Sequence, residues 1–178
     1  MAGMEDLLLL VRHGEASPEE HDPERHLTER GRRETERVAR WASRARLSVT
    51  EIRHSGKTRA AETAQIFAAL LHPPGGVVAA PGLRPKDTVE PVAAELDETG
   101  AGVMLVGHLP FLARLVGHMV AGDAERELVR FAASALVALS CLLRPLPEDD
   151  SCAPAERPSR CGSRGSGAQV RGTARGPR

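Results

Sequence analysis

The sequence predicts an α/β fold, a three-layer α/β/α sandwich with a mostly parallel central sheet. Short apolar runs alternate along the chain with segments whose apolar residues recur at helical spacing, in the order β-α-β-α-β-α-β-α-β. Two of the runs, Leu7 to Val11 and Val103 to Val106, are apolar at every position, which is the pattern of strands covered on both faces. A length of 178 residues supplies one proper core and not two.

Leu7 to Val11 forms the first strand, and Gly14 ends it. Residues 16 to 26 are polar, with prolines at 18 and 23, and form a loop. Thr28 caps a helix whose apolar face is Val38, Trp41, Ala42 and Ala45 and which ends near Arg46. Val49 to Arg53 is a weaker strand. Arg59 to Leu71 is an alanine-rich helix packed through Ile66, Phe67, Leu70 and Leu71, and it stops at His72-Pro73-Pro74-Gly75-Gly76. Val77 to Ala80 is a short strand, residues 81 to 85 a loop, and Glu90 to Leu96 a modest helix. After the Val103 to Val106 strand, Pro110 suits the first turn of a helix whose apolar face is Phe111, Leu112, Leu115, Val116, Met119 and Val120. Ala135 to Leu143 reads as the last strand, and there is no internal repeat.

Residues 1 to 146 therefore read as one domain. Residues 147 to 178, rich in Pro, Ser, Gly and Arg, bury too little apolar surface to offset their ordering entropy and are expected to be disordered. Zero net charge and a pI near 7.1 give no basis for binding nucleic acid or an acidic membrane. No apolar run reaches the roughly 20 residues of a membrane span. Leu7 to Val11 is too short for a secretory signal, and Cys141, Cys152 and Cys161 are an odd number without zinc spacing. The expectation is a cytoplasmic protein.

Two stretches compete as phosphate sites. Gly56-Lys57-Thr58 matches the end of a nucleotide P-loop, but the position of that motif's first glycine holds Glu51, whose charge opposes an anion. The alternative starts where Arg12-His13-Gly14 leaves the first buried strand. His108 stands in the same place after its own buried strand, and ligands of open parallel sheets sit beyond the carboxyl ends of the strands. Gly14 lets backbone approach a phosphate, Arg12 offers a bidentate fork, and Arg59 at a helix start offers a second. Two guanidiniums between two imidazoles match a phosphate dianion without a metal. A zinc or iron site would instead use His13, Glu15, His54 and His108. The sequence lacks the closely spaced histidine pairs that anchor such a site, and Arg12 and Arg59 would repel the cation. His21, His26, His54, His72 and His118 are taken as structural or surface residues.

These residues resemble the histidine phosphatase superfamily, also called phosphoglycerate mutase-like. VRHGEA at 11 to 16 is similar to its nucleophile motif, SGKTRAAETA at 55 to 64 to its S-P-x-x-R-x-x-Q-T-A segment, and VGHLPFLARLV at 106 to 116 to its second histidine motif. RHLTERG at 25 to 31, GLRPKD at 82 to 87 and His-Leu-Pro at 108 to 110 resemble the compact SixA-type phosphohistidine phosphatases. The resemblance runs from about Leu7 to Leu142. It departs from the family pattern at Gly56, where proline is usual, at Glu62, where glutamine is common, and in the C-terminal tail, where a further edge strand is usual.

The resemblance implies a phosphoglycerate mutase-like fold, no cofactor, and His13 as a nucleophile that becomes phosphohistidine. His108, Arg12 and Arg59 would stabilise the transferring group, and Arg12, Gly14, Arg59 and His108 would bind substrate. His13 must then present an unprotonated nitrogen while its other nitrogen donates to a backbone carbonyl. Glu15 and Asp87 are candidates for the general acid. Phosphohistidine in a protein is the expected substrate, with a small phosphorylated molecule as the alternative. A non-catalytic phosphate-binding module is the third class of reading.

Overall fold

The structure, a computed structural model, describes residues 7–99 and 102–140. Among the described residues nine elements follow one another in the expected order: β1 (Leu7–Arg12), α1 (Glu29–Arg44), β2 (Glu51–His54), α2 (Thr58–Leu71), β3 (Val77–Ala79), α3 (Glu90–Thr99), β4 (Val103–Gly107), α4 (Phe111–Ala121) and β5 (Leu136–Ser140). The tail at 147–178, the three cysteines and the predicted end of the last strand lie outside the described residues.

The five strands form one sheet in the order β3-β2-β4-β1-β5. β1, β2, β3 and β4 run parallel, and β5 lies antiparallel along β1, with Leu9 opposite Ala138. The two wholly apolar runs, β1 and β4, are neighbours near the middle of the sheet, with Leu9 opposite Met104 and Arg12 opposite Gly107. Their alternate residues fill two separate cores, because successive strand side chains point to opposite faces. Leu8, Leu10, Val103 and Leu105 pack with Val92, Leu96, Phe111, Leu112 and Leu115 of α3 and α4. Leu9, Val11, Met104 and Val106 pack with Ala39, Ala42, Ala60, Ala64 and Phe67 of α1 and α2. This is the three-layer arrangement expected of two-faced apolar strands.

Local chemistry sets the helix ends. The Thr28 hydroxyl accepts from the Gly31 N–H at 2.9 Å, satisfying an amide that the helix itself leaves free at the α1 start. α2 ends at His72 and α4 at Gly122, both in the left-handed conformation.

Three expectations are corrected. The face that α1 buries is Gly31, Thr35, Ala39 and Ala42, whereas Trp41 is 59% exposed, and Val38 and Ala45 are partly buried. Small residues line the seam because α1 approaches the backbone closely: a Cβ at Gly31 would lie 2.1 Å from the Glu15 carbonyl oxygen. Pro110 stands one position earlier than expected, at the α4 N-cap rather than inside its first turn. Within the α4 face, Phe111, Leu112, Leu115 and Val116 are buried, but Val120 is 47% exposed.

Candidate active site

The strand order sets the carboxyl ends of β2, β4 and β1 side by side, so the loops that leave them open on one crevice. His13 is the first residue after β1, and its N–H extends the ladder to the Gly107 carbonyl at 3.1 Å. His108 is the first residue after β4. The two rings lie with centroids 4.8 Å apart, tilted by 55°. Arg59, the second residue of α2, is nearly buried, and its Nε donates to His13 Nε2 at 3.3 Å.

That contact fixes the state of His13. Its Nδ1 lies 2.7 Å from the Gly14 carbonyl oxygen, which can only accept, so Nδ1 carries the proton and Nε2 holds the lone pair. Burial pushes the His13 pKa down to about 4. The Gly14 carbonyl opposes that shift, and the charges of Arg59, Arg12 and Arg25 add to it. His108, only 2% exposed, is lowered to about 3 by burial, then by His13, Arg59, Lys57 and Arg25. Both imidazoles are therefore neutral at pH 7.

Buried hydroxyls build the floor. Gly14 N–H donates to Thr63 Oγ1 at 3.0 Å, and that hydroxyl donates to the Arg59 carbonyl at 2.7 Å. Thr63 thus ties the loop after β1 to the first turn of α2, holding His13 against Arg59. A Cβ at Gly14 would come within 2.7 Å of Thr35 Oγ1, so the close approach requires glycine. Thr35 Oγ1 donates to the Gly31 carbonyl at 2.8 Å and lies 2.8 Å from Ser134 Oγ, whose residue also donates its N–H to the His13 carbonyl at 3.3 Å. The Arg12 guanidinium donates through one terminal nitrogen to the Phe131 carbonyl at 2.7 Å, and its Nε is buried without a partner.

His13 thus meets His108 ring to ring and Arg59 through its Nε, whereas the Arg12 guanidinium is bonded to the Phe131 carbonyl and acts on His13 through its charge. Glu15 and Asp87 are engaged elsewhere. Glu15 accepts from the Thr28 hydroxyl at 2.9 Å and lies 3.9 Å from Arg30 Nε, while Asp87 accepts from the Arg84 N–H at 2.9 Å within its own turn. Among the described residues no group of three His, Cys, Asp or Glu side chains could hold a metal, and His54 Nδ1 accepts from the Gly56 N–H at 3.2 Å. Lys57 and Thr58 form the cap and first residue of α2.

Sequence reasoning missed several contributors. Arg25, in the left-handed conformation at φ 58°, donates its Nε to the Ser17 carbonyl at 3.2 Å, and its charge reaches His13, His108 and Arg59. Ser55 contacts His108, and Thr63 and Ser134 support the loop of His13. The segments RHLTERG and SGKTRAAETA contain Arg25, Ser55 and Thr63, but nothing in the local pattern gave them roles.

Residues 8–85 match the histidine phosphatase superfamily (branch 1). Among solved structures, the chain is similar to the protein histidine phosphatase SixA complexed with tungstate, at 26% identity and a TM-score of 0.67, covering 74% of this chain and 86% of that one. It is also similar to a protein of Agrobacterium tumefaciens assigned as the phosphohistidine phosphatase SixA, at 24% identity and a TM-score of 0.62, covering 76% and 92%. A third likeness, to a mycobacterial glucosyl-3-phosphoglycerate phosphatase, has 18% identity and a TM-score of 0.62 over 76% and 91%. The last two are likenesses of fold. No curated protein matches the chain. Among the described residues no helix is long and apolar enough to cross a membrane.

Proposed function

We propose that the chain is a metal-independent phosphatase of the histidine phosphatase superfamily, with His13 as nucleophile and protein phosphohistidine as substrate, a reading supported by the match of residues 8–85 to that superfamily. The observation that carries this reading is the state of His13: a neutral ring with its Nδ1 proton held by the Gly14 carbonyl and its Nε2 lone pair facing Arg59.

In the first step Nε2 attacks phosphorus in line, a P–N bond forms to His13, and the bond to the leaving group breaks. The equatorial oxygens then bear the charge, which Arg12, Arg59 and the His108 N–H stabilise, with the Gly14 backbone close by. Water attacks the phosphohistidine in the second step, the P–Nε2 bond breaks, and inorganic phosphate leaves with His13 neutral again. Arg25 adds a third positive charge at the rim.

An alkoxide leaving group requires a proton donor, whereas a departing imidazole is a much better leaving group. The engagement of Glu15 by Thr28 and of Asp87 by its own turn favours phosphohistidine over a phosphomonoester. The second reading, a small-molecule phosphomonoesterase, draws on the fold likeness to the mycobacterial glucosyl-3-phosphoglycerate phosphatase. Either Glu15 or Asp87 would then turn inward as acid.

The test compares turnover on a phosphohistidine peptide and on sugar phosphates, with and without EDTA, in the intact chain and in His13→Ala. Faster turnover of the peptide that persists in EDTA, with loss of both turnover and acid-labile labelling in His13→Ala, is expected. A labelled or active His13→Ala protein refutes the nucleophile, faster sugar-phosphate turnover favours the second reading, and phosphate binding without hydrolysis indicates a binding module.

A further inference from the structure

His108 and Ser55 are both buried, at 2% and 5% exposure, and Ser55 Oγ lies 2.6 Å from His108 Nε2. The other ring nitrogen, Nδ1, is buried with no partner. A neutral imidazole has one N–H and one lone pair, and a serine hydroxyl has one proton to donate, so the pair can be arranged in two ways.

In the first, Nε2–H donates to Ser55 Oγ. The Ser55 proton is then left without an acceptor, since among the described residues Oγ has no second partner, and Nδ1 presents a bare lone pair. In the second, Ser55 donates to Nε2. Its hydroxyl is satisfied, and the one group left over is an Nδ1–H. The first arrangement leaves two buried polar groups unmet, the Ser55 O–H and the Nδ1 lone pair, and the second leaves one, so the cost of unmet buried groups favours the second. It also favours function on the reading proposed above, because an anion accepts a hydrogen bond from an N–H and is repelled by a lone pair.

We infer that Ser55 is a positioning residue: by donating to His108 Nε2 it holds His108 as the Nδ1–H tautomer, so that this N–H is free to donate to an oxygen of the transferring phosphoryl group. The inference rests on the phosphatase reading for its purpose and on hydrogen-bond accounting for its geometry. Ser55 acts only through His108. It comes from the loop after β2 and reaches a residue 53 positions away, which adds β2 to the strands whose ends build the site.

The test is a long-range proton–nitrogen NMR correlation of the histidine rings in the resting protein, combined with tungstate binding by the intact chain, Ser55→Ala and Ser55→Thr. The intact chain is expected to show a protonated Nδ1 and an unprotonated Nε2 at His108. Ser55→Ala should show mixed tautomers and bind tungstate about tenfold more weakly. Ser55→Thr, which keeps the hydroxyl, should restore both to near the original values. A protonated Nε2 in the intact chain overturns the inference, and that spectrum decides even if the alanine variant fails to fold. Unchanged tautomer and affinity in a folded Ser55→Ala also overturn it. Failure of the intact chain to bind tungstate overturns the phosphatase reading and leaves the tautomer without an anion to serve, an outcome distinct from the other two.

Discussion

Acidification from pH 7 to pH 5 probes the resting state of His13 directly. An ordinary histidine with a pKa of 6.5 is only about 3% neutral at pH 5, but one lowered to about 4 is still about 90% neutral. The proposed nucleophile therefore stays unprotonated to well below the usual histidine range. The same shift carries a stability cost whose sign follows from proton binding. Because the folded pKa lies below the unfolded one, the unfolded chain binds more protons between about pH 6.5 and 4, and stability falls as the pH falls through that window. For His13 the loss between pH 7 and pH 5 is on the order of 2 kcal/mol, and partial exposure of the ring makes that an upper figure. Its ring lies 4.8 Å from that of His108, so the two titrate as a pair. The assay is urea unfolding at the two pH values for the intact chain and for His13→Asn, together with an NMR titration of the ring. The intact chain should lose up to about 2 kcal/mol more than His13→Asn. Equal losses, or a ring midpoint near 6.5, would refute the reasoning.

Arg25→Gln removes a positive charge that reaches His13, His108 and Arg59, and should raise KM for a phosphorylated substrate about tenfold with little change in unfolding free energy. An unchanged KM would place that guanidinium outside the site. Gly31→Ala forces a Cβ to within 2.1 Å of the Glu15 carbonyl oxygen and should cost about 3 kcal/mol in urea unfolding, because the atoms it meets are all Glu15 backbone and cannot rotate away. A cost under about 0.5 kcal/mol would show that α1 can move away from the loop.

The elements and their order were legible in the chain because periodicity, caps and breakers are local signals. The two-faced apolar runs Leu7 to Val11 and Val103 to Val106 predicted strands with covered faces, which the structure sets side by side, and the residues that follow each of them predicted a pair of histidines in one crevice. The face of α1 was misread because hydrophobicity weights Trp41 as an anchor. Packing instead selected Gly31, Thr35, Ala39 and Ala42, which allow closer approach. The antiparallel course of β5 was equally invisible, since strand direction depends on where the chain returns and not on the composition of the strand.

The sequence by itself determined which groups are candidates for the proposed chemistry: two histidines after buried strands, an arginine beside the first and another at a helix start. Only the tertiary structure decided how they are held. Thr35 meets Ser134 across 99 positions and Arg12 meets the Phe131 carbonyl across 119. Such pairings have no signal in a local window, because each exists only after sheet and helices have packed. The proton on His13 Nδ1 and the depressed pKa values belong to the same class, since desolvation arises from burial and not from the residue type.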